Sequence, residues 1–597
     1  MDYAAVPNLP TLFFEQAAKL ADKPFLWAKI DGAYRSTSYA QAADITRRIS
    51  RGLSAIGVKA GDRVVIVSEN RPEWAMADLA VMAIGAISVP AYTTNTVDDN
   101  LYILDHSGAT AAIVSTTALA RRVIPAARSA DACITVISVE PPQESTAAGV
   151  DVLGWDALMT KGASTSIDVE ATARGIDRED TACFIYTSGT GGRPKGVMLS
   201  HKSILANCDG AYGLLASYGL GDEIFLSLLP LSHSYEHTAG LFFPISIGAQ
   251  IYYAEGPDSL AQNLTEVRPS IMTAVPRLYE VLHDRILRGV TRHGGSKAKL
   301  FHDAVRLGIK RYEGQDKLSL TERLYDGLLS LLVRKKVAQR FGGRLKAFVS
   351  GGAALNPDIG KFFLALNIKL LQGYGQTEAS PVVSANPPGR IKIHTVGPPL
   401  RGVEVKIAED GEILVRGDLL MKGYWHDPDT TAATVIDGWL HTGDIGLIDQ
   451  DGYIEITDRK KDIIVNSGGD NISPARLEGK LTLEPEILQA MVYGDKRPYL
   501  VAVVVPEESF ITDWASENGT SADLAALADN AAFKKAIGNA VDRVNENQAL
   551  IEKVRRFIIA SEPFTTDNGM MTPTLKIRRH KIREKYYETL DALYGKG

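Results

Sequence analysis

The chain has 597 residues, of which 45% are hydrophobic and 23% charged, with a formal net charge of -6. This length exceeds one ordinary domain core, so we expect two or more domains, and the composition excludes a disordered chain. The acidic balance argues against a general nucleic-acid-binding protein, because such proteins usually carry a basic bias.

The three cysteines, Cys133, Cys183 and Cys208, match no metal-ligand spacing. Cys183 and Cys208 lie on apolar faces and are predicted to be buried thiols. This cysteine usage favours an intracellular, reducing setting, and the N-terminus lacks the basic region of a secretory signal. We therefore expect a cytoplasmic protein, with peripheral contact to a membrane surface left open.

Strand-like and helix-like patterns alternate over roughly the first 400 residues, which predicts an α/β fold with helices covering sheets. Apolar runs such as Arg63–Ser68, Gln250–Tyr253 and Ala347–Ser350 predict buried strands. The longest apolar stretch, Trp74–Tyr92, contains charged, glycine and proline residues. We interpret it as a core helix to about Gly85 followed by a buried strand, and not as a membrane span.

The glycine-rich stretch Tyr186–Gly196 has the composition of a phosphate-binding loop. Glycines let backbone N–H groups approach an anion, hydroxyls add donors, and Lys195 adds a positive charge. A strand-like run precedes the loop and Ser200 is expected to cap a helix after it, which predicts a loop between a strand and a helix. The common Gly-Lys-Ser/Thr loop and the dinucleotide fingerprint are both absent, and a surface turn is the alternative for the loop alone.

Two regions depart from the α/β alternation. Residues 277–345 are helical in pattern and rich in Lys and Arg, including Arg334-Lys335-Lys336; we interpret them as a solvated helical insertion, with a membrane-facing basic surface as the alternative. Short strands with turn signals over about 396–456 predict a small antiparallel or barrel-like β unit. A second α/β unit with a basic tail follows.

Three further motifs carry chemistry. Gln372–Glu378 places an aromatic ring, a hydroxyl and a carboxylate at one strand end, a set suited to stacking a base, bonding a phosphate and holding Mg²⁺. Asp437–Asp444 ends in a carboxylate that can accept both hydroxyls of a ribose. The charge run Asp458–Asp462 is followed by the glycine-rich Asn466–Gly469.

In this order, and over nearly the whole chain, the motifs resemble the adenylate-forming superfamily of acyl-CoA synthetases, luciferases and adenylation domains. Residues 437–461 are similar to the fatty acyl-CoA synthetase signature, and 229–237 and 350–355 resemble the long-chain fatty acid–CoA ligase branch. The resemblance implies a large N-terminal domain, 1–460, of layered α/β sheets with the β unit. It also implies a smaller, mobile α+β domain, 461–597, that carries the catalytic lysine.

The resemblance implies roles for individual residues. ATP or AMP would be bound by Thr187, Ser188, Gly189, Thr190, Lys195, Gly352, Ala353, Tyr374 and Asp444. The catalytic residues would be Lys576, Thr377, Glu378 and Arg459, with Glu378 also the metal ligand. The hinge would be Lys461, the boundary between acyl and thiol sites His233, and the CoA loop Ser467, Gly468 and Gly469. Gly191 stands where the family loop usually has a second Thr, so we expect tuned rather than abolished ATP binding.

The implied reaction activates a fatty carboxylate with ATP and Mg²⁺ to an acyl adenylate and transfers the acyl group to coenzyme A. The alternatives are a fatty acyl-AMP ligase that loads a carrier protein, and a non-catalytic acyl- or nucleotide-binding scaffold. The Lys461 hinge and the Gly468-Gly469 loop favour CoA.

Other features keep more than one interpretation. His233 and His237, four residues apart with Glu236 between them, are not expected to bind a metal, because no third ligand has suitable spacing and the His-Glu-x-x-His order is absent. The basic tail from Lys553 to Lys585 is either a solvated face or a surface for CoA phosphates or an anionic bilayer. We expect no nucleic-acid partner, and monomer and homodimer are both open.

Overall fold

The computed structural model describes residues 1–142, 146–147, 149–187, 193–314, 318–468, 470–572 and 576–595. The predicted binding residues Ser188, Gly189 and Thr190, the substituted Gly191, and Gly469 of the predicted CoA loop lie outside the described residues.

Two large sheets, mainly parallel at their centres, form the greater part of the molecule. In one sheet the strand order is Gly423–Tyr424, Lys195–Ser200, Thr181–Thr187, Ile87–Ala91, Arg63–Val67, Ala109–Val114, Thr135–Ser138, Val150–Gly154 and Thr146–Ala147. In the other it is Val382–Ala385, Leu370–Gly375, Ala347–Ser350, Ile271–Ala274, Ile224–Ser227, Gln250–Tyr253, Pro24–Ile30 and Ala33–Ser38.

Helices pack between and outside these sheets, as the alternating patterns predict, and those from Pro474 onward pack in the C-terminal unit. Those before residue 276 are Leu9–Leu20, Tyr39–Ala55, Pro72–Ala83, Val97–Ser107, Thr117–Ser129, Trp155–Gly162, Val169–Arg174, His201–Leu215, Ser234–Glu236, Phe243–Ser246 and Leu260–Val267. The later helices are Pro276–His293, Gly295–Glu313, Leu320–Leu329, Lys335–Arg340, Pro357–Ala365, Pro428–Thr434, Pro474–Leu481, Glu508–Asn518, Leu524–Ala528, Ala531–Glu546 and Arg579–Ala592.

The strand Arg63–Val67 shows how the sequence builds these layers. Successive strand residues point to opposite faces of a sheet. Val64 and Ile66 belong to the core between the two sheets, whereas Val65 and Val67 pack against the helices on the outer face. A run with apolar residues on both faces therefore lies in the buried centre of an α/β sheet.

Residues after the second large sheet form two smaller units. The predicted β unit is antiparallel, with strands Glu404–Ile407, Glu412–Arg416, Val435–Ile436, Trp439–Ile448 and Ile454–Arg459. Beyond it come a two-stranded pair, Ile464–Val465 with Asn471–Ile472, and a three-stranded sheet of Ile487–Tyr493, Leu500–Pro506 and Val554–Ile559. The predicted fold class, layered α/β with a smaller α+β part, is confirmed.

The phosphate loop is flanked differently from the prediction. The strand Thr181–Thr187 pairs antiparallel with Lys195–Ser200, so the loop joins two strands of a hairpin and not a strand and a helix. The predicted helix does follow, as His201–Leu215, and Ser200 caps it by accepting a hydrogen bond from the Ser203 N–H. The predicted helix cap is confirmed, and the strand Lys195–Ser200 is an element that the sequence pattern does not predict.

The region 277–345 is helical as predicted, but one of its cations is not solvated. Arg334 is 2% exposed and donates hydrogen bonds to the carbonyl oxygens of Ala304 and Ala365 and to Asp326. It lies in the π-helical turn Ser330–Arg334, directly before Lys335, which is exposed. The prediction of an exposed basic run is therefore wrong at Arg334.

Cys133, Cys183 and Cys208 are buried free thiols, as expected for Cys183 and Cys208. Among the described helices, none combines the length and apolar character needed to cross a bilayer. Trp74–Tyr92, the longest apolar stretch, forms the core helix Pro72–Ala83 and the strand Ile87–Ala91, as predicted.

Candidate active site

Asp444 is at the centre of a polar cluster between the large sheets and the small β unit. The hydroxyl of Tyr374 donates a 2.6 Å hydrogen bond to Asp444 Oδ2, and Nε of Arg459 lies 3.2 Å from Asp444 Oδ1. Asp444 and Arg459 are partners in antiparallel strands, so the sheet register brings them together. Asp444 and Tyr374 are buried, whereas half of the Arg459 side chain is exposed.

Gly352 and Ala353 leave the second large sheet at the same edge as Tyr374. The strands Ala347–Ser350 and Leu370–Gly375 are parallel neighbours, with Ser350 opposite Gln372. Gly352 has a φ of +86°, a conformation that side chains other than glycine rarely adopt, and both Gly352 and Ala353 are exposed. An open backbone edge therefore lies at the strand end that carries the Tyr374 ring.

Glu378 and Lys195 are connected through Tyr424. The Tyr424 hydroxyl donates to Glu378 Oε1 at 2.8 Å, and the Lys195 ammonium lies 5.1 Å from the centroid of the Tyr424 ring. Lys195 also donates to Thr430 Oγ1 at 3.0 Å and pairs with Asp427 at 3.2 Å. The cation at the end of the loop and the predicted metal ligand thus share Tyr424 as a neighbour.

Thr187 lies at the other end of the same loop. It is the last residue of its strand and is paired in register with Lys195. The hairpin therefore holds the two loop ends opposite each other. The strand that contains Lys195 also pairs with the edge strand Gly423–Tyr424, with Val197 opposite Tyr424.

A short segment fixes His233 and Thr377. The hydroxyls of Ser234 and Thr377 are hydrogen-bonded at 3.0 Å, and His233 Nδ1 accepts the Tyr235 backbone N–H. Burial, and then the nearby Lys576 ammonium, lower the pKa of His233 to about 4. His233 is therefore neutral near pH 7.

The side chains of Glu236 and His237 continue this segment into the core and do not face His233. Glu236 accepts hydrogen bonds from Ser227 at 2.7 Å and Thr273 at 2.5 Å, and burial raises its pKa to about 7. His237 Nε2 is 2.9 Å from Asp78 Oδ2, and both side chains are fully buried. These partners anchor the segment to the second large sheet, through Ser227 and Thr273, and to the core helix Pro72–Ala83, through Asp78.

Lys576 reaches the cluster from the C-terminal part of the chain. Its neighbour Ile577 forms an antiparallel β-bridge with Met571, and the Lys576 backbone N–H donates to Thr572 Oγ1. Solvent reaches the side chain, yet protein atoms surround it closely: burial, and next the Arg459 guanidinium, lower the pKa of Lys576 to about 8. Asp444 and Glu378 oppose this shift, so all three groups lie within electrostatic range of the ammonium.

Lys461 lies in an exposed turn between two anchored neighbours. Lys460 binds Asp410 at 2.6 Å in the small β unit, and Asp462 lies 4.0 Å from Arg579 of the last helix. Lys461 thus lies between Lys460, which is bound to the β unit, and Asp462, which faces the C-terminal unit.

Ser467 and Gly468 lie apart from the cluster around Asp444. The Ser467 N–H donates to the Arg497 carbonyl, and the Gly468 N–H donates to Asn466 Oδ1. Both residues are exposed. Their hydrogen bonds within the described residues are to the C-terminal unit itself, so the structure does not bring the predicted CoA loop to the other site residues.

Several contacts in this region were not anticipated from sequence. They involve Ser234, Asp427 and Tyr424, and the buried pair of Asp78 with His237. Asp427 had a signal, because Asp-Pro is a helix-start pattern and Asp427 does cap Pro428–Thr434. Asp78 had one too, since a carboxylate within an apolar run needs a buried partner.

The chain belongs to the AMP-binding enzyme family. The family model for AMP-binding enzyme matches residues 13–425, and that for the AMP-binding enzyme C-terminal domain matches residues 461–597. The protein is thus a member of the adenylate-forming class of enzymes.

Two of the similar proteins within this family are named as long-chain acyl-CoA ligases. The chain is 33% identical to the long-chain-fatty-acid–CoA ligase FadD15 of Mycobacterium tuberculosis, over 99% of this chain and 97% of the relative. It is 30% identical to the peroxisomal long chain acyl-CoA synthetase 6 of Arabidopsis thaliana, over 98% of this chain and 87% of the relative.

A solved structure supports the fold. The A domain of carboxylic acid reductase from Segniliparus rugosus, in complex with AMP and a co-purified carboxylic acid, matches with a TM-score of 0.77 at 23% identity. The match covers 98% of this chain and 94% of the other.

Proposed function

We propose that this chain is an ATP-dependent, AMP-forming ligase that joins long-chain fatty acids to coenzyme A. The observation that supports this most strongly is the position of Lys576, whose ammonium interacts with Glu378, Asp444 and Arg459. A cation brought to this cluster from the C-terminal unit suits the activation of a carboxylate at a nucleotide phosphate. The relatives' names support the acyl chain length and the acceptor.

The nucleotide would be oriented by the strand-end residues. Tyr374 would pack against the adenine, next to the open backbone edge at Gly352 and Ala353. Asp444 would accept the ribose hydroxyls, because the Tyr374 hydroxyl and Arg459 hold its carboxylate in a fixed position. Lys195 and Thr187, at the loop ends, would direct the loop toward the β- and γ-phosphates.

Glu378 fits the role of a Mg²⁺ ligand. Only one of its oxygens, Oε1, accepts the hydrogen bond from Tyr424, and the side chain is half-buried. Over the described residues, no group of three or more His, Cys, Asp or Glu side chains is arranged to hold a metal. One carboxylate suits Mg²⁺, which takes most of its ligands from phosphates and water. When bound, it would neutralise phosphate charge.

In the first half-reaction a carboxylate oxygen of the fatty acid would attack the α-phosphorus, and the bond to pyrophosphate would break. Thr377 would donate a hydrogen bond to the α-phosphate, with Ser234 fixing its hydroxyl. Lys576 would stabilise the negative charge that crowds around this phosphorus. No protein nucleophile is required, because the substrate supplies its own.

In the second half-reaction the CoA thiol would attack the acyl carbonyl and AMP would leave. Lys576 would have no role in this step. The predicted CoA loop would have to approach the cluster, from which its described residues Ser467 and Gly468 lie apart. We therefore propose domains 1–460 and 461–597 that rotate about Lys461, with neutral His233 at the boundary between the acyl and thiol sites. Peripheral contact with a membrane, where fatty acids accumulate, belongs to the same proposal.

The test incubates the purified chain with ATP, Mg²⁺, CoA and saturated acids of increasing length, and quantifies pyrophosphate, AMP and acyl-CoA. We expect equal amounts of the three products with long-chain acids and little turnover of acetate. Acyl adenylate that accumulates without acyl-CoA would indicate an acyl-AMP ligase. Absence of pyrophosphate release with every acid would indicate a scaffold.

A further inference from the structure

The helical insertion carries a set of leucines that is largely open to solvent. The set lies in the helix Leu320–Leu329 and the π-helical turn Ser330–Arg334 that continues it. We call it the leucine stripe; its members and exposed fractions are Leu320 (78%), Leu324 (79%), Leu328 (48%), Leu331 (65%) and Leu332 (42%). At 3.6 residues per turn, Leu320, Leu324 and Leu328 fall within about a quarter of the helix circumference. Leu331 and Leu332 lie in the π-helical turn that continues the helix.

Both carboxylates of this segment are paired with cations of the insertion. Glu322 binds Lys310 at 2.9 Å. Asp326 is buried and binds both Arg334 and Arg311 at 2.5 Å. Because these negative charges are neutralised locally, they add little repulsion toward an anionic surface.

Exposed cations follow the stripe along the same helix. Lys335, Lys336 and Arg340 are exposed on the helix Lys335–Arg340, and no carboxylate within the described residues pairs with them. Long basic side chains can lay their aliphatic stems along an apolar surface while the charged group stays in water. The segment thus joins an apolar face to a cationic end.

We propose that the leucine stripe, with Lys335, Lys336 and Arg340, docks this protein on the surface of an anionic lipid bilayer. Single exposed leucines are ordinary, but a contiguous apolar face bordered by cations is typical of interfacial helices. From Leu320 to Leu332 the segment is only about 20 Å long, against about 30 Å for a hydrocarbon core, so it would lie in the interface.

This proposal differs from docking by the basic tail between Lys553 and Lys585. The tail contributes charge, but among the described residues in or next to it the exposed large apolar side chains are Leu550, Ile551 and Tyr587, against five in the leucine stripe. The stripe supplies the larger apolar area, and Lys335, Lys336 and Arg340 supply the charge beside it. Binding to lipid requires no substrate, so it is testable separately from the ligase activity.

The experiment sediments the full chain with large vesicles, either of phosphatidylcholine alone or containing phosphatidylglycerol. We expect binding that is stronger with phosphatidylglycerol and weakens as salt increases. The triple variant Leu324→Ser, Leu328→Ser and Leu331→Ser should lose binding at least about tenfold, because each leucine contributes apolar burial. The double variant Lys335→Glu and Lys336→Glu should lose the preference for anionic lipid.

The matched control is Leu550→Ser with Ile551→Ser, which should bind vesicles like the wild type. Circular dichroism and ligation of a water-soluble medium-chain acid, expected to be unchanged in the leucine variant, establish that it is folded. Wild type that stays unbound, or a leucine variant that binds normally, would overturn the proposal. So would light scattering that shows a wild-type dimer and a monomeric leucine variant, because a second copy would then cover the stripe.

Discussion

The hydroxyl of Tyr374 donates a 2.6 Å hydrogen bond to the carboxylate of Asp444. Asp444 raises the pKa of this buried hydroxyl, after burial itself, so the proton stays on Tyr374 at every pH at which the protein works. Tyr374 therefore has two separable functions in the proposed site: its ring contacts the base, and its hydroxyl orients the ribose ligand.

Tyr374→Phe keeps the ring and removes the hydrogen bond. We expect the KM for ATP to rise about tenfold or more, because a hydrogen bond to a charged group contributes about 1.5–3 kcal/mol. The matched control is Tyr424→Phe, which removes the hydroxyl bonded to Glu378. That variant should shift the Mg²⁺ concentration for half-maximal activity instead. Identical effects of the two variants would contradict the assignment of separate roles.

Lys576→Ala should lower the rate of adenylation by about 10² to 10³, because a charge-stabilising donor is removed. Thioester formation from pre-made acyl adenylate should be retained. The control Lys581→Ala removes an exposed lysine of the neighbouring helix, paired with Glu584, and should leave both rates unchanged. Equal losses in the two half-reactions of Lys576→Ala would rule out the proposed role.

The pH dependence of adenylation follows from the same lysine. The pKa of Lys576 is lowered from 10.5 to about 8, so the ammonium loses its proton as the pH rises through about 8. We expect the adenylation rate to fall above that pH. Lys576→Arg keeps its charge throughout this range and should flatten the alkaline side of the profile. A wild-type adenylation rate that does not change between pH 7 and about pH 10 would be inconsistent with this mechanism.

Lys461→Pro should separate the half-reactions in the opposite way. Proline fixes φ near -65°, which restricts rotation between the anchored neighbours Lys460 and Asp462. We expect adenylation close to the wild-type rate and thioester formation slower by about tenfold or more. Lys461→Ala is the control that removes the charge without stiffening the backbone. If thioester formation by the proline variant were normal, the hinge would lie elsewhere.

Glu236→Gln tests the buried carboxyl. Its pKa is raised from 4.5 to about 7, so the folded state holds the proton more tightly than the unfolded state. The resulting stabilisation is complete below pH 4.5 and is lost as the pH rises through about 7, a change of roughly 3 kcal/mol.

Urea unfolding from pH 5 to pH 8 would measure this effect. The wild type should lose stability relative to Glu236→Gln as the pH rises, because glutamine does not titrate. Exposed Glu517→Gln is the control and should follow the wild type. Parallel curves for wild type and Glu236→Gln would show that Glu236 does not bind this proton.

Arg334→Ala should destabilise the helical insertion by about 3–5 kcal/mol, because Asp326 loses a buried cation. The carbonyls of Ala304 and Ala365 also lose their donor. The neighbouring Lys335→Ala should change stability by less than about 0.5 kcal/mol. Urea unfolding followed by circular dichroism would distinguish the two, and similar stabilities would mean that Arg334 is not a structural residue.

Periodic apolar patterns were sufficient to predict most of the sheets. The bounds predicted for Gln250–Tyr253 and Ala347–Ser350 are confirmed to the residue, because short runs with buried apolar residues are typical of sheet strands. The strand Lys195–Ser200 was not predicted, because its first residues, Lys195 and Gly196, continue the glycine-rich loop sequence. The prediction for Arg334 is wrong because its partners, Asp326 and the carbonyls of Ala304 and Ala365, lie elsewhere in the chain, and a run of basic residues does not indicate them.

The sequence by itself determined the chemical class of this protein. Its motifs are local: a few adjacent residues supply a loop, a ring beside a carboxylate, or a turn before an aspartate, and their order along the chain identifies the family. Local motifs do not specify their partners. Glu378 meets Tyr424 and Lys195 meets Asp427 across long stretches of chain.

Only the tertiary structure decided which charges act on one another. Lys576 lies within electrostatic range of Arg459, Asp444 and Glu378, all of which are distant from it in the sequence. The lowered pKa of that lysine, the raised pKa of Glu236 and the inward turn of Arg334 all follow from burial and from distances between side chains. Electrostatic energies depend on those distances and on solvent access, and neither quantity is contained in the order of residues.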